Sequence, residues 1–124
     1  MNDQRLRPLV YSCSGCSSAA QLTNLCAIEL DRHNVAEMSC IAGVGGKVPP
    51  LLRIAHSGRP IIALDGCILS CVKESLAQAE LEPQIHIRLD QLGIRKLKKT
   101  DFDQQDARQV YQFVVEQIKT LETT

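Results

Sequence analysis

Four short apolar runs alternate along this chain with four segments of helical periodicity, and few folds accommodate that alternation. Parallel strands need crossover connections, and helices supply them. Leu9-Val10-Tyr11 is the first run, and Pro60-Ile61-Ile62-Ala63-Leu64 is the clearest. An unbroken apolar run of this kind suits the centre of a sheet that is covered on both sides. Gln84-Ile85-His86-Ile87-Arg88-Leu89 alternates polar and apolar residues, the pattern of an edge or half-covered strand. The remaining strand, Val35 to Ile41, is weak by itself and is required by the alternation.

Between the strands, Ser17 to Arg32 repeats Ala19, Leu22, Cys26 and Leu30 at helical steps, so Cys26 lies on a buried stripe. Gly43 to Lys47 reads as a flexible loop, followed by a short helix opened by Pro49-Pro50 and ending near His56. A third helix is expected from about Cys67 to Ala79, with Ile68, Val72, Leu76 and Ala79 on its face. The last follows the capping oxygens of Thr100-Asp101-Phe102-Asp103 and buries Ala107, Val110, Tyr111, Val114, Ile118 and Leu121. With 124 residues the chain makes one domain, residues 1–124. The expected fold is an open, mainly parallel four-stranded α/β sheet with helices on both faces, Rossmann- or flavodoxin-like.

Six cysteines are many for a cytosolic chain, yet too few for a secreted disulfide scaffold. The segment from Met1 to Pro8 lacks the apolar stretch of a signal and no later run is long enough to span a bilayer, so a cytoplasmic location is expected. In a reducing compartment the surplus points to metal or thiol chemistry. Cys13, Cys40 and Cys67 are 27 residues apart and 27 again, and each follows an expected strand. Residues just past parallel strands share the carboxyl edge, where open α/β sheets bind ligands. Cys71, one helical turn after Cys67, supplies a fourth thiol. Adjacent strands lie about 4.8 Å apart, and thiolates at about 2.3 Å from one zinc sit under ~4 Å from each other. The loops must turn these side chains inward. Four sulfurs favour zinc and also suit an iron–sulfur cluster.

Cys13-Ser14-Gly15-Cys16 is a C-x-x-C at a strand-to-helix turn, where a helix N-terminus favours thiolate. The alternative function is therefore a thiol redox or sulfur-transfer enzyme using Cys13 and Cys16. The chain has no Trp, and the thioredoxin-like pattern carries one beside its C-x-x-C. The bland reading of the whole set is core packing.

Cys13-Ser14-Gly15, Ser39-Cys40-Ile41-Ala42-Gly43-Val44-Gly45, and Ile62-Ala63-Leu64-Asp65-Gly66-Cys67 with Cys71 resemble the bacterial DGC domain family. Asp90-Gln91-Leu92-Gly93-Ile94-Arg95-Lys96 is similar to the family's later segment, so the likeness runs from about Pro8 to Lys96. The resemblance implies a zinc-binding protein whose ligands are Cys13, Cys40, Cys67 and Cys71. It implies no reaction, and it leaves Cys16 and Cys26 outside the ligand set.

Other features read as structural. Gly43 to Lys47 fails the P-loop pattern, because Ile41 and Val48 stand where Gly and Ser or Thr belong. As a loop at the thiol edge it can admit a small anionic or thiol ligand. Asp65 is expected to cap the following helix or to support a ligand from behind. His33, His56 and His86 show no metal-ligand spacing and read as surface or half-buried residues. Lys plus Arg equals Asp plus Glu at 14 each, so no overall field draws nucleic acid or a membrane, and any basic surface, such as Arg95 to Lys99, is local.

Overall fold

The computed structural model describes residues 7–122; the Met1 to Pro8 reading above falls mostly outside them. Its elements are β1 (Leu9–Ser12), α1 (Ser18–Arg32), β2 (Glu37–Met38), α2 (Ile41–Gly45), α3 (Pro49–Ala55), β3 (Ile61–Asp65), α4 (Cys71–Gln78), β4 (Ile85–Arg88) and α5 (Gln104–Glu122). The strands form one four-stranded sheet in the order β2-β1-β3-β4. Every pairing is parallel, as the alternation of runs and helices implies. Because β1 leads outward to β2 while β3 and β4 lie on its other side, the strand order reverses between β1 and β3. Such a reversal opens a crevice at the carboxyl ends of those two strands.

Pleating divides the core in two. Val10, Ile62, Leu64 and Ile87 face Leu22, Cys26 and Leu30 of α1 and Val110 and Val114 of α5. Leu9, Tyr11, Ile61 and Ala63 face Val44, Ala55, Val72 and Leu76 on α2, α3 and α4. All five residues of β3 are buried, which is what an apolar run without alternation predicts for a central strand. Each such Leu or Ile stabilises the fold by about 1.5–3 kcal/mol when fully buried.

Local signals set the helix ends. Ser17 Oγ accepts from Ala20 N at 3.1 Å and starts α1. Asp103 Oδ1 accepts from Gln105 N at 2.7 Å at the start of α5. In α5, Ala107, Val110, Val114 and Ile118 are buried, while Tyr111 and Leu121 are only half-buried.

Three expectations need correction. The second strand is two residues long, and on its open edge Met38 N donates to Asp31 Oδ1 at 3.0 Å, where no further strand pairs among the described residues. The glycine loop is partly helical: Ile41 to Gly45 form α2, and a Cβ on Gly43 would run into Leu51 of α3. The glycine permits close helix approach there instead of supplying flexibility. The third helix begins at Cys71, four residues later than its periodicity suggests. Ser70, at φ 53°, is left-handed and interrupts the helical path.

Candidate functional site

The carboxyl edge is assembled from backbone contacts first. Cys13 N donates to Leu64 O at 3.2 Å, which carries the β1–β3 pairing one residue past Ser12. Ser39 N donates to Val10 O at 3.1 Å, which does the same between β1 and β2. Cys13, Cys40 and Cys67 thus leave neighbouring strands at one edge. Gly66 brings the last of them close: a Cβ there would stand 3.0 Å from Ala19 C and Ala20 N in the first turn of α1. Only a residue without a side chain lets the β3 exit lie against the helix that follows Cys13.

Cys13 and Cys67 are close enough for their charges to act on Cys71. Partial desolvation, then the negative charge of Asp65, Cys13 and Cys67, pushes the Cys71 thiol above its ordinary value, while Lys96 pulls it down. Lys96 Nζ donates to Cys67 Sγ at 3.5 Å. Cys13 Sγ lies 3.5 Å from Thr23 Oγ1, whose hydroxyl donates to Ala20 O at 2.6 Å. Cys67 and Cys71 do not share a helix face as their spacing suggests. Cys67 belongs to a turn closed by Ser70 N to Cys67 O at 3.1 Å.

Asp65 holds this turn in place. Its carboxylate is 1% exposed and accepts from Val72 N at 2.7 Å and Lys73 N at 3.3 Å, the amides of the first turn of α4. It also accepts from His86 Nε2 at 2.8 Å, and His86 is half-buried on β4. Capping was the expected role. The bond to His86 was not foreseen, since no local spacing links residues on β3 and β4.

Cys40 stands apart from the other three. Its exposed thiol precedes α2 and lines an open groove of about 600 Å³ with Ser12, Ser14, Met38, Ile41 and Leu51. Beneath the edge, Tyr11 is fully buried and its hydroxyl makes no hydrogen bond among the described residues. Burial raises its pKa, and Ser39 beside it acts in the opposite direction. Cys16 is exposed, and Cys26 is buried in α1 with its thiol pushed up to about 12 by desolvation.

The donor chemistry suits a soft metal ion: thiols at a sheet edge, a cation at hand for one of them, and a buried carboxylate behind the loop. As the side chains stand, no three His, Cys, Asp or Glu among the described residues are gathered around a single point for an ion. Closing four sulfurs on a metal therefore requires the exposed Cys40 and Cys71 side chains to rotate inward. Lys96 and Thr23 escaped sequence reasoning, because one sits in a basic connection and the other looks like an ordinary helix residue. Asn24, bonded to Ser14 Oγ at 2.9 Å, belongs with them.

No solved structure matches this chain. A curated relative, the "Anaerobic and virulence modulator AnvM" of Pseudomonas aeruginosa PAO1, is 57% identical over 104 residues, spanning 84% of this chain and 79% of the relative. The model of the DGC domain matches residues 9–114, a span that includes Asp65-Gly66-Cys67, the turn built above. On the parallel sheet, the glycine that fits against α1 and this match, the chain belongs to the DGC domain family.

Proposed function

We propose that the chain is a metal-binding protein of the cytoplasm that holds zinc through Cys13, Cys40, Cys67 and Cys71. The observation that carries this reading is the closeness of Cys13 and Cys67 to Cys71 at the β1/β3 crevice, near enough for their charges to raise the Cys71 thiol. Cys40 leaves the neighbouring strand at the same edge and is the fourth ligand. Bound zinc would cross-link the exits of three strands without redox chemistry of its own. Asp65 and His86 then act on the protein side by fixing the turn that presents Cys67 and Cys71. The relative is described as a modulator, and we extend to this chain the same coarse role.

Metal analysis of protein purified anaerobically under reducing conditions tests the reading. About one zinc per chain is expected, as four thiolates close one tetrahedron. A brown protein with iron and sulfide would replace zinc with a cluster on the same ligands. Metal-free protein with its edge thiols freely titratable would defeat both. Thiol exchange between Cys13 and Cys16 is the competing reading, and a reversible Cys13–Cys16 disulfide in the parent protein would favour it.

A further inference from the structure

Two surfaces, one on the turn between Cys67 and Cys71 and one on the connection from β4 to α5, are apolar at the centre and differ in the charge around them. Between Cys67 and Cys71 the chain turns through Ile68 and Leu69, which are 72% and 64% exposed. They are by far the most exposed large apolar side chains among the described residues, and left-handed Ser70 holds them out from the sheet edge. Lys73 follows one turn later, and Lys96 reaches Cys67 from the side, so this apolar knuckle is flanked by cations. On the connection from β4 to α5 lies a cleft of about 350 Å³. Ile94, Leu97 and Phe102 supply its apolar wall, and its charged lining is three carboxylates, Asp101, Asp103 and Asp106, against the single cation Arg95.

We propose that the chain pairs with a second copy of itself, the Ile68–Leu69 knuckle of each copy seating in the other's cleft between Leu97 and Phe102. Charge decides for this arrangement over its simplest rival. Knuckle against knuckle would set Lys73 and Lys96 of one copy against the same cations of the other, whereas knuckle against cleft sets them against carboxylates. A net charge of zero leaves no long-range repulsion between copies. Each copy carries one knuckle and one cleft, so a two-fold axis satisfies both contacts and closes the assembly at a dimer. The pairing stands whether or not the thiols bind metal.

Sedimentation velocity over a wide concentration range tests it with two variants. Ile68→Asp/Leu69→Asp spoils the knuckle, and Asp101→Lys/Asp106→Lys reverses the cleft rim while leaving Asp103 to cap α5. The parent protein should dimerise more weakly as salt rises, and each variant should weaken pairing by about tenfold or more, as loss of a buried anchor does. Mixing the two variants should restore a heterodimer, because one intact contact remains and the altered knuckle now meets an oppositely charged cleft. Zero-length carbodiimide cross-linking of isotopically mixed parent protein should join Lys73 or Lys96 of one copy to Asp101 or Asp106 of the other. That measurement needs no variant to fold. A parent protein that stays monomeric at every concentration overturns the proposal, as does a dimer indifferent to both variants and lacking those cross-links.

Discussion

The buried stripe of α1 and the carboxyl edge of the sheet both carry cysteine, and the fold gives the residue opposite roles in the two places. Cys26 packs with Leu22, Leu30 and the apolar face of α5, and desolvation suppresses its ionisation up to about 12. Cys13, Cys67 and Cys71 stand near Lys96 and Asp65, where neighbouring charge acts on a thiol. Composition counts all six alike. Position relative to a strand end separates a packing atom from a candidate ligand.

The strongest way to break this contrast is to remove one thiol from each region. Cys67→Ala should abolish stoichiometric metal binding, while Cys26→Ala should keep it and cost about 1 kcal/mol of packing. Metal content and denaturant midpoints of the two variants read the difference; equal metal retention would show the edge to be no different from the stripe. Next in size is the support of the edge. Asp65→Ala leaves the Val72 and Lys73 amides and His86 without their carboxylate, a loss of about 2–3 kcal/mol. Gly66→Ala should cost about 1–3 kcal/mol by overpacking against α1. In both, metal affinity should fall along with the midpoint of unfolding.

Alkaline titration sharpens the contrast from the side of the stripe. Cys26 titrates near its ordinary value of 9.0 when unfolded and near about 12 when folded, so its burial stabilises the fold fully below pH 9 and progressively less above it. Tyr11 and Tyr111, whose values burial also raises, add to the decline with the same sign. The thermal midpoint should drop through this window, and Cys26→Ala should make the drop shallower; an identical slope would show that Cys26 does not contribute. The smallest effect belongs to exposed Cys16: Cys16→Ser should change stability by no more than about 0.5 kcal/mol and leave bound metal unchanged.

Much of this arrangement was legible in the sequence because its causes are periodic. The Leu22-Cys26-Leu30 stripe placed Cys26 in the core, and the unbroken run Ile61 to Leu64 placed β3 at the sheet centre. The positions of Cys13, Cys40 and Cys67 after strands followed from the same alternation. What stayed hidden depends on contacts between distant segments. Gly43 reads as loop until Leu51 is seen against it, and the late start of α4 rests on a carboxylate that belongs to a strand. The bonds from His86 to Asp65 and from Lys96 to Cys67 join residues that no local pattern connects. For the same reason the offset of Cys40 from the other three was invisible, since equal spacing along the chain says nothing about where a thiol turns after its strand ends.

The β1–β3 pairing also sets the order in which the molecule becomes competent. β1 is made first, but the partner that brings Cys67 beside Cys13 is not available until the chain has passed through α1, β2, α2 and α3. Contacts between such separated segments form late, after the loops between them have closed. On a growing chain, Cys13 therefore waits for Cys67 through all the residues that separate them, and the edge it belongs to exists only once β3 has docked. A metal ion or thiol reagent supplied during translation meets cysteines not yet gathered at one edge, whereas one supplied afterwards meets the folded edge.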